Sequence, residues 1–92
     1  MTPHSDPINI LLVDDREENL LALHAVLRAP GHHLETASSG SKALEILEEA
    51  DFAVILLDVQ MPGMDGLETA RRIRLRERSR NTPIIFITGI YP

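Results

Sequence analysis

The chain has 92 residues and no cysteine, which limits it to one domain with a modest core and excludes disulfides and thiolate metal sites. Its net charge of -5 and its 3% of aromatic residues argue against a domain that binds nucleic acid directly, since such domains are net basic and often stack bases on aromatic side chains. No apolar stretch approaches the roughly 18 residues that span a bilayer, and residues 1–7 form a polar tail that resembles no secretion signal, so we expect a cytoplasmic protein.

Strand and helix patterns alternate along residues 8–51. Short apolar runs rich in β-branched residues predict strands, and apolar stripes with helical spacing predict helices. In chain order they are a strand from Ile8 to Val13, a helix from Arg16 to about Ala29, a short strand from Leu34 to Ala37 and a helix that ends near Asp51. The apolar stripes are Leu20, Leu23 and Leu27 in the first helix, and Ala43, Ile46, Leu47 and Ala50 in the second.

The same alternation continues through the rest of the chain. Phe52 to Leu57 predicts a third strand buried on both faces, and Asp65 is suited to cap a third helix. The break at Asn81-Thr82-Pro83 precedes a fourth strand, Ile84 to Thr88. The order β-α-β-α-β-α-β predicts an α/β fold with a parallel sheet and helices on both faces, formed by residues 8–92.

Three of the four predicted strands end in side chains that carry oxygen. Asp14 and Asp15 follow the first strand, Asp58 follows the third, and Thr88 ends the fourth. If these strands are neighbours, the carboxylates meet at one edge of the sheet, where their mutual repulsion favours a bound cation. Hard oxygen ligands favour Mg²⁺ or Mn²⁺, and a carboxylate beside such a metal is a suitable nucleophile towards phosphorus. The spacing predicts a metal and phosphate site, but it does not choose the nucleophile.

Three sequence motifs contain these residues. In order they are Leu11-Leu12-Val13-Asp14-Asp15, then Leu57-Asp58-Val59-Gln60-Met61-Pro62-Gly63-Met64-Asp65-Gly66, then Pro83-Ile84-Ile85-Phe86-Ile87-Thr88. Together they resemble the receiver domain of two-component response regulators, over nearly the whole chain and with a highly specific middle motif. The resemblance implies a flavodoxin-like fold and a phosphorelay module that takes a phosphoryl group from a sensor histidine kinase or a phosphotransfer domain. At most, such a module catalyses its own phosphotransfer and dephosphorylation.

The resemblance also implies roles for individual residues. Asp58 would be the phosphoacceptor, and Thr88 would contact the phosphoryl group. Asp15 would bind Mg²⁺ (or Mn²⁺) directly and Asp14 mostly through water. Asp58 and the backbone carbonyl of Gln60 would complete the ligands that the protein supplies to the metal.

The chain departs from this family after its fourth predicted strand. The family continues with a helix, a fifth strand that carries a lysine, and a last helix, and that lysine pairs with the phosphoryl group. Here the only lysine is Lys42, in the second predicted helix. Without the last strand and the last two helices, Ile84 to Thr88 becomes an uncovered edge strand and one face of the sheet loses a helix. We therefore expect a C-terminally incomplete receiver that self-associates through this strand.

Two other functions are compatible with the same acids. One is a truncated receiver that no longer signals and acts only as an assembly or dimerisation fragment. The other is a Mg²⁺-dependent phosphohydrolase, although such enzymes place a second acid two residues after the nucleophile, where this chain has Gln60.

Two further features lie outside this group of acids. His32-His33 suggests a metal site that lacks partner ligands. The six arginines within residues 71–80 predict a solvated helix face, with a docking surface for an acidic partner as the alternative.

Overall fold

The structure is a computed structural model that describes residues 7–87, and it contains the predicted alternation of strands and helices. In chain order the elements are β1 (Ile8–Val13), α1 (Glu17–Leu27), β2 (His32–Ala37), α2 (Gly40–Glu49), β3 (Val54–Asp58), α3 (Gly66–Leu75) and β4 (Ile84–Ile87). β2 begins two residues earlier than predicted, and Asp58 itself is the last residue of β3. Thr88 lies outside the described residues. No helix in this part of the chain is long and apolar enough to cross a membrane.

The four strands form one parallel sheet in the order β2-β1-β3-β4. The chain moves outward from β1 to β2 and then returns past β1 to β3, so the direction of winding reverses between β1 and β3. In sheets of this kind, ligands bind at the carboxyl ends of the strands beside such a reversal. Val13 is paired with Leu57, so Asp14 and Asp58, the next residues of the two strands, come to lie side by side.

Helices cover the two faces of the sheet unequally. α2 and α3 pack on one face and contribute Ala43, Leu44, Leu47, Ala70 and Ile73 to the larger apolar cluster. Among residues 7–87, α1 is the one helix on the other face, where the buried residues are Ile10, Leu12 and Leu20 and the half-buried ones include Leu23 and Leu27. The stripe predicted for α1 therefore faces the sheet, but the layer that it forms is thin. Val26 on the same helix remains 79% exposed.

The strand β4 lies at the edge of this sheet and pairs only with β3 among residues 7–87. Ile85 is 55% exposed and Phe86 is 44% exposed, although both are large apolar side chains. The structure thus contains the predicted apolar edge strand. Self-association through it stays a prediction.

The arginine run does not form the continuous solvated helix face that the sequence predicts. α3 ends at Leu75, and the backbone of Arg76 is already extended, with φ of -90° and ψ of 130°. Arg71 and Arg72 keep the predicted role, because both pair with Glu68 on the exposed side of α3. Hydrogen bonds from Arg71, and next from Arg72, lower the pKa of Glu68 to about 2.

Arg74 instead folds back over the turn that follows α3. Its guanidinium donates to the backbone carbonyls of Ser79, Arg80 and Thr82 at 3.5, 3.0 and 2.6 Å. All three contacts come from one nitrogen of the guanidinium, Nη1. Arg74 therefore closes the turn that leads into β4.

Two further arginines of the run connect the segment after α3 to α2. Arg76 donates to the carbonyl of Leu44 at 2.8 Å and lies 3.7 Å from the Glu48 carboxylate. Arg78 donates to the carbonyl of Glu48 at 2.8 Å and to the Asp51 carboxylate at 2.6 Å. The Glu48 carbonyl is one of the last four of its helix, which have no intrahelical donor. Arg74 and Arg78 are exposed, as the predicted solvated face requires, but Arg76 is half-buried, and Arg76 and Arg78 lie beyond the end of the helix to which the prediction assigned them.

Candidate metal and phosphoryl site

The carboxyl ends of β1 and β3 bring together the three acids that the sequence predicts. Asp14 is fully buried, Asp58 is 2% exposed, and Asp15 is exposed at the mouth of the cleft. One carboxylate oxygen from each residue lies within 4.8 Å of the other two. Within residues 7–87 this is the only group of three or more possible metal ligands with such spacing. The predicted meeting of Asp14, Asp15 and Asp58 is therefore present in the fold.

Asp14 is held by the first residues that follow β1. Its backbone N–H donates to the carbonyl of Ala37 at 3.1 Å, which continues the ladder between β1 and β2. Its Oδ1 accepts the backbone N–H of Arg16 at 2.9 Å and the side-chain amide of Asn19 at 3.4 Å. Sequence reasoning missed Asn19, because a contact over five residues across a turn and into a helix has no simple motif.

Asp58 is fixed by the loop between β3 and α3. The backbone N–H of Gln60 donates to Asp58 Oδ1 at 3.2 Å, and the N–H of Gly66 donates to the carbonyl of Val59 at 2.9 Å. This second bond folds the loop so closely that a Cβ on Gly66 would collide with the Asp58 carbonyl oxygen. Asp65 caps α3 as predicted, since its carboxylate accepts the N–H of Glu68 at 2.8 Å.

The surroundings of Asp58 favour its protonated form when no cation is present. Burial is the main cause of its raised pKa, and the charges of Asp14 and Asp15 and a hydrogen bond with Asp14 act in the same direction. The hydrogen bond from the N–H of Gln60 opposes them and lowers the pKa. A divalent cation among the three carboxylates would offset this repulsion, and oxygen donors of this kind suit Mg²⁺ or Mn²⁺. The donor set therefore fits the predicted metal.

Of the remaining predicted site residues, the structure describes Gln60 but not Thr88. Gln60 follows the site on the exposed side of its loop. Lys42, in the first turn of α2, borders a cavity of about 380 Å³ next to the acids. The other residues that line this cavity are Asp15, Glu17, Leu20, Thr36 and Ser38.

The two adjacent histidines do not belong to this site. They begin β2 rather than lying in a turn. His32 Nδ1 lies 2.8 Å from the carbonyl of Leu27, at the end of α1, and His33 Nε2 lies 4.0 Å from the Glu35 carboxylate. Neither histidine joins a set of three possible metal ligands in the described part of the chain. Their contacts therefore give no support to a metal site there.

A parallel sheet with this strand order, and an acidic cleft at the ends of β1 and β3, defines an α/β domain suited to a divalent cation and a phosphoryl group. The family model for the response regulator receiver domain matches residues 10–91. The chain belongs to that family. The predicted flavodoxin-like fold and the prediction of a phosphoacceptor receiver module of two-component signalling are thereby confirmed.

Similar proteins include whole regulators and isolated receiver domains. The chain is 41% identical over 81 residues to the transcriptional regulatory protein AfsQ1 of Streptomyces coelicolor, an alignment that covers 88% of this chain and 35% of that protein. Its fold matches the chemotaxis protein CheY4 of Vibrio cholerae with a TM-score of 0.85 and 32% identity, covering 94% of this chain and 72% of that one. The receiver domain of sensor histidine kinase PA1611 of Pseudomonas aeruginosa matches with a TM-score of 0.84 and 33% identity, covering 91% and 69%. That structure has a magnesium ion coordinated in its active site cleft.

Proposed function

We propose that Asp58 is the phosphoacceptor of this receiver and takes its phosphoryl group from a phosphohistidine. The observation that carries the proposal is the meeting of the Asp14, Asp15 and Asp58 carboxylates within 4.8 Å at the ends of two adjacent central strands. Asp58 is the acid that ends β3, and its Oδ1 is already oriented by the N–H of Gln60. In the transfer, an ionised Asp58 oxygen bonds to phosphorus while the phosphorus–nitrogen bond of the donor breaks. The electron pair of that bond stays on the imidazole ring.

The other acids have the role of holding a cation beside Asp58. Asp15 would bind Mg²⁺ or Mn²⁺ directly and Asp14 mostly through water, together with Asp58 and the backbone carbonyl of Gln60. The bound cation would reduce the net negative charge of the cleft and coordinate a phosphoryl oxygen. Thr88 would donate its hydroxyl to the phosphoryl group once it is on Asp58.

The phosphoacceptor proposal is tested by labelling the protein with acetyl phosphate in Mg²⁺ and measuring its intact mass. We expect labelling that is lost in Asp58→Asn and in excess EDTA, and that returns when Mn²⁺ replaces Mg²⁺. Asp65→Asn is the matched control, because Asp65 lies in the same loop and caps α3 from outside the acidic cleft. Labelling of Asp58→Asn at the wild-type level would assign the phosphoacceptor to another residue.

A receiver that only assembles is the competing hypothesis for the same residues. Calorimetric titration with Mg²⁺, with and without beryllofluoride as a phosphoryl mimic, separates the two. Cation binding that strengthens with the mimic supports phosphotransfer at Asp58. A folded wild-type protein that binds no cation and takes no label would support the assembly fragment.

The phosphodonor in the cell, in this proposal, is a sensor histidine kinase or a phosphotransfer domain. The resemblance to a receiver domain that belongs to a sensor histidine kinase supports this class of partner. We also propose a cytoplasmic location, since a module of this kind works where kinases use ATP. Transfer from a phosphorylated kinase to the wild-type chain, and not to Asp58→Asn, is the corresponding assay.

We further propose that a second copy of the chain is a partner, bound through β4. The support is the apolar edge of the sheet, where Ile85 and Phe86 are exposed and β4 pairs on one side only within residues 7–87. An edge of this kind presents backbone donors and acceptors that can extend a sheet into a second molecule. The molecular mass in solution, measured across a range of protein concentrations, tests this proposal.

A further inference from the structure

Asn19 lies beside the acidic cleft and contacts one of its buried carboxylates. It is half-buried in the first turn of α1, and its Nδ2 lies 3.4 Å from Asp14 Oδ1. The same oxygen accepts the backbone N–H of Arg16 at 2.9 Å. Two donors from the start of α1 therefore converge on one oxygen of a fully buried acid.

This contact is not explained by the ordinary way in which a helix begins. The residue before α1 is Arg16, whose side chain makes no capping hydrogen bond. The backbone N–H groups of Asn19 and Leu20 are both satisfied by the Arg16 carbonyl, at 3.1 and 3.2 Å. The Asn19 side chain is thus not used to close the helix. Its amide points instead at the Asp14 carboxylate.

We propose that Asn19 is a positioning residue, whose amide fixes the rotation of the Asp14 carboxylate in the cation site. The inference rests on the proposed function, because it takes a divalent cation to be the ligand of this site. Carboxylates that bind a metal are commonly oriented by a hydrogen bond from a neighbouring group, and loss of that neighbour weakens the metal site. The N–H of Arg16 belongs to the backbone, so the contribution of Asn19 can be removed by itself.

A purely structural role for Asn19 makes a different prediction. Alanine and leucine both form helices better than asparagine, so neither substitution weakens α1 through helix propensity. If the Asn19 amide only stabilises the fold, its loss changes the free energy of unfolding and leaves cation affinity unchanged. If it orients Asp14, cation affinity falls in a protein that is fully folded.

The test measures Mg²⁺ affinity by calorimetry for the wild-type chain, Asn19→Leu and Asn19→Ala, at a temperature where circular dichroism shows each to be folded. We expect the dissociation constant to rise about tenfold in both variants, the lower end of the range for such neighbours, because the hydrogen bond is long. Asn9→Ala is the matched control. The amide of Asn9 donates to the Asp51 carbonyl at 3.3 Å near the amino end of β1, away from the acids. Its loss should leave Mg²⁺ affinity unchanged.

Labelling by acetyl phosphate provides a second readout. At low Mg²⁺ the Asn19→Leu protein should be labelled more slowly than wild type, and at saturating Mg²⁺ the two rates should converge. Dissociation constants of both Asn19 variants within about twofold of wild type, far below the effect of losing such a neighbour, would overturn the inference alone. A folded wild-type chain that binds no Mg²⁺ would instead overturn the proposed function on which the inference depends.

Discussion

Gly66 occupies the position where the loop after β3 passes closest to the phosphoacceptor candidate. A Cβ there would collide with the Asp58 carbonyl oxygen and would lie 2.7 Å from Val59 Cα. Both are backbone atoms, so relieving the clash requires a shift of the main chain. We expect Gly66→Ala to lower the free energy of unfolding by about 3 kcal/mol, as in other overpacked sites. Urea denaturation followed by circular dichroism measures this change.

Gly63 in the same loop is the matched control for Gly66. Its φ is 75°, and a Cβ there would meet nothing within 4 Å. Gly63→Ala therefore adds only the strain of a left-handed conformation, about 1–2 kcal/mol. The two glycines are expected to differ in a second way, since only Gly66→Ala displaces the backbone of Asp58. Equal effects of the two substitutions on stability and on cation binding would show that the close contact at Gly66 is not important.

The Asp58 carboxyl should make the free energy of unfolding decrease as pH rises above the ordinary pKa of aspartate. Its pKa is raised in the folded state, chiefly by burial and then by Asp14 and Asp15, so above the ordinary pKa of aspartate the folded protein retains a proton that the unfolded chain has lost. Fewer bound protons in the unfolded state mean that the free energy of unfolding decreases as pH rises through this window. Most acids paired with a basic group behave in the opposite way.

Asp58→Asn should remove this dependence. In EDTA, the variant is expected to be more stable than wild type at pH 7 by about 1 kcal/mol, a common size for a single substitution, and its stability should change less as pH is raised from 4 to 7. Urea denaturation at a series of pH values measures both effects. A wild-type protein whose stability rises across this range, with no difference in Asp58→Asn, would contradict the prediction.

The acids of the site could be predicted from the sequence because each of them ends an apolar strand or lies within two residues of its end. Residues at the carboxyl ends of neighbouring parallel strands share an edge, so the placement of Asp14, Asp15 and Asp58 follows from the strand assignments once β1 and β3 are neighbours, which the family resemblance implied. The contact of Asn19 with Asp14, and the position of Lys42 on a cavity that Asp15 also lines, could not be predicted in the same way. They depend on how the helices pack on the sheet and on side-chain rotamers, which periodicity does not determine.

At the scale of elements, the arginines of α3 should differ strongly in their effect on stability. Arg74→Ala removes a guanidinium that donates to three carbonyls of the turn before β4. Because hydrogen bonds from charged groups contribute more than neutral ones, we expect a loss of about 1–2 kcal/mol in the free energy of unfolding. Arg72→Ala removes only an exposed ion pair with Glu68 and should have little measurable effect.

Urea denaturation of the two variants side by side tests this contrast. Arg74→Lys refines the test, because the three contacts all come from the single nitrogen Nη1 and a lysine ammonium also carries three N–H donors. Full recovery in Arg74→Lys would mean that one cationic donor group is enough to hold the turn, whereas no recovery would mean that the longer guanidinium is needed to reach it. A loss of stability in Arg72→Ala as large as in Arg74→Ala would show that the ion pair with Glu68 stabilises the fold more than an exposed pair is expected to.

The end of α3 illustrates what element prediction from sequence lacks. Arginine is a good helix former, and the first strong breaker after Asp65 is Pro83, so the pattern favours a helix that continues beyond Leu75. The helix stops earlier because Arg76 and Arg78 reach acceptors on and just after α2 that are distant in sequence. Contacts of this kind appear only once the helices are packed on the sheet. The starts of helices were more predictable, because the capping role of Asp65 is local.

At the scale of the whole molecule, the strand order was implied by the family resemblance and not by the periodicity. Alternating strands and helices predict a parallel sheet with right-handed connections, but several orders of four strands satisfy these rules. The observed order β2-β1-β3-β4 puts the two most buried strands, β1 and β3, in the middle and leaves β2 and β4 as edges. β2 begins with two histidines and also carries Glu35, so its edge is polar, whereas β4 is apolar throughout.

This difference between the edges predicts which one mediates self-association. Charged side chains on an edge strand, lysine in particular, discourage pairing between sheets. We expect the wild-type chain to show a mass above that of the monomer that increases with protein concentration, and Ile85→Lys to remain monomeric. Ile85 is 55% exposed, so the lysine can be accommodated without disturbing the core. Analytical ultracentrifugation gives the mass, and circular dichroism establishes that the variant is folded.

Leu67→Lys provides the control for a general loss of exposed apolar surface. Leu67 is 60% exposed on α3, which packs on one face of the sheet and is not part of the β4 edge. It should associate as the wild-type chain does, because the backbone groups of β4 remain accessible to a second copy. Monomeric behaviour of the wild type over the whole range would contradict pairing through β4. Equal dissociation of both lysine variants would point instead to association through scattered apolar side chains, without a defined edge.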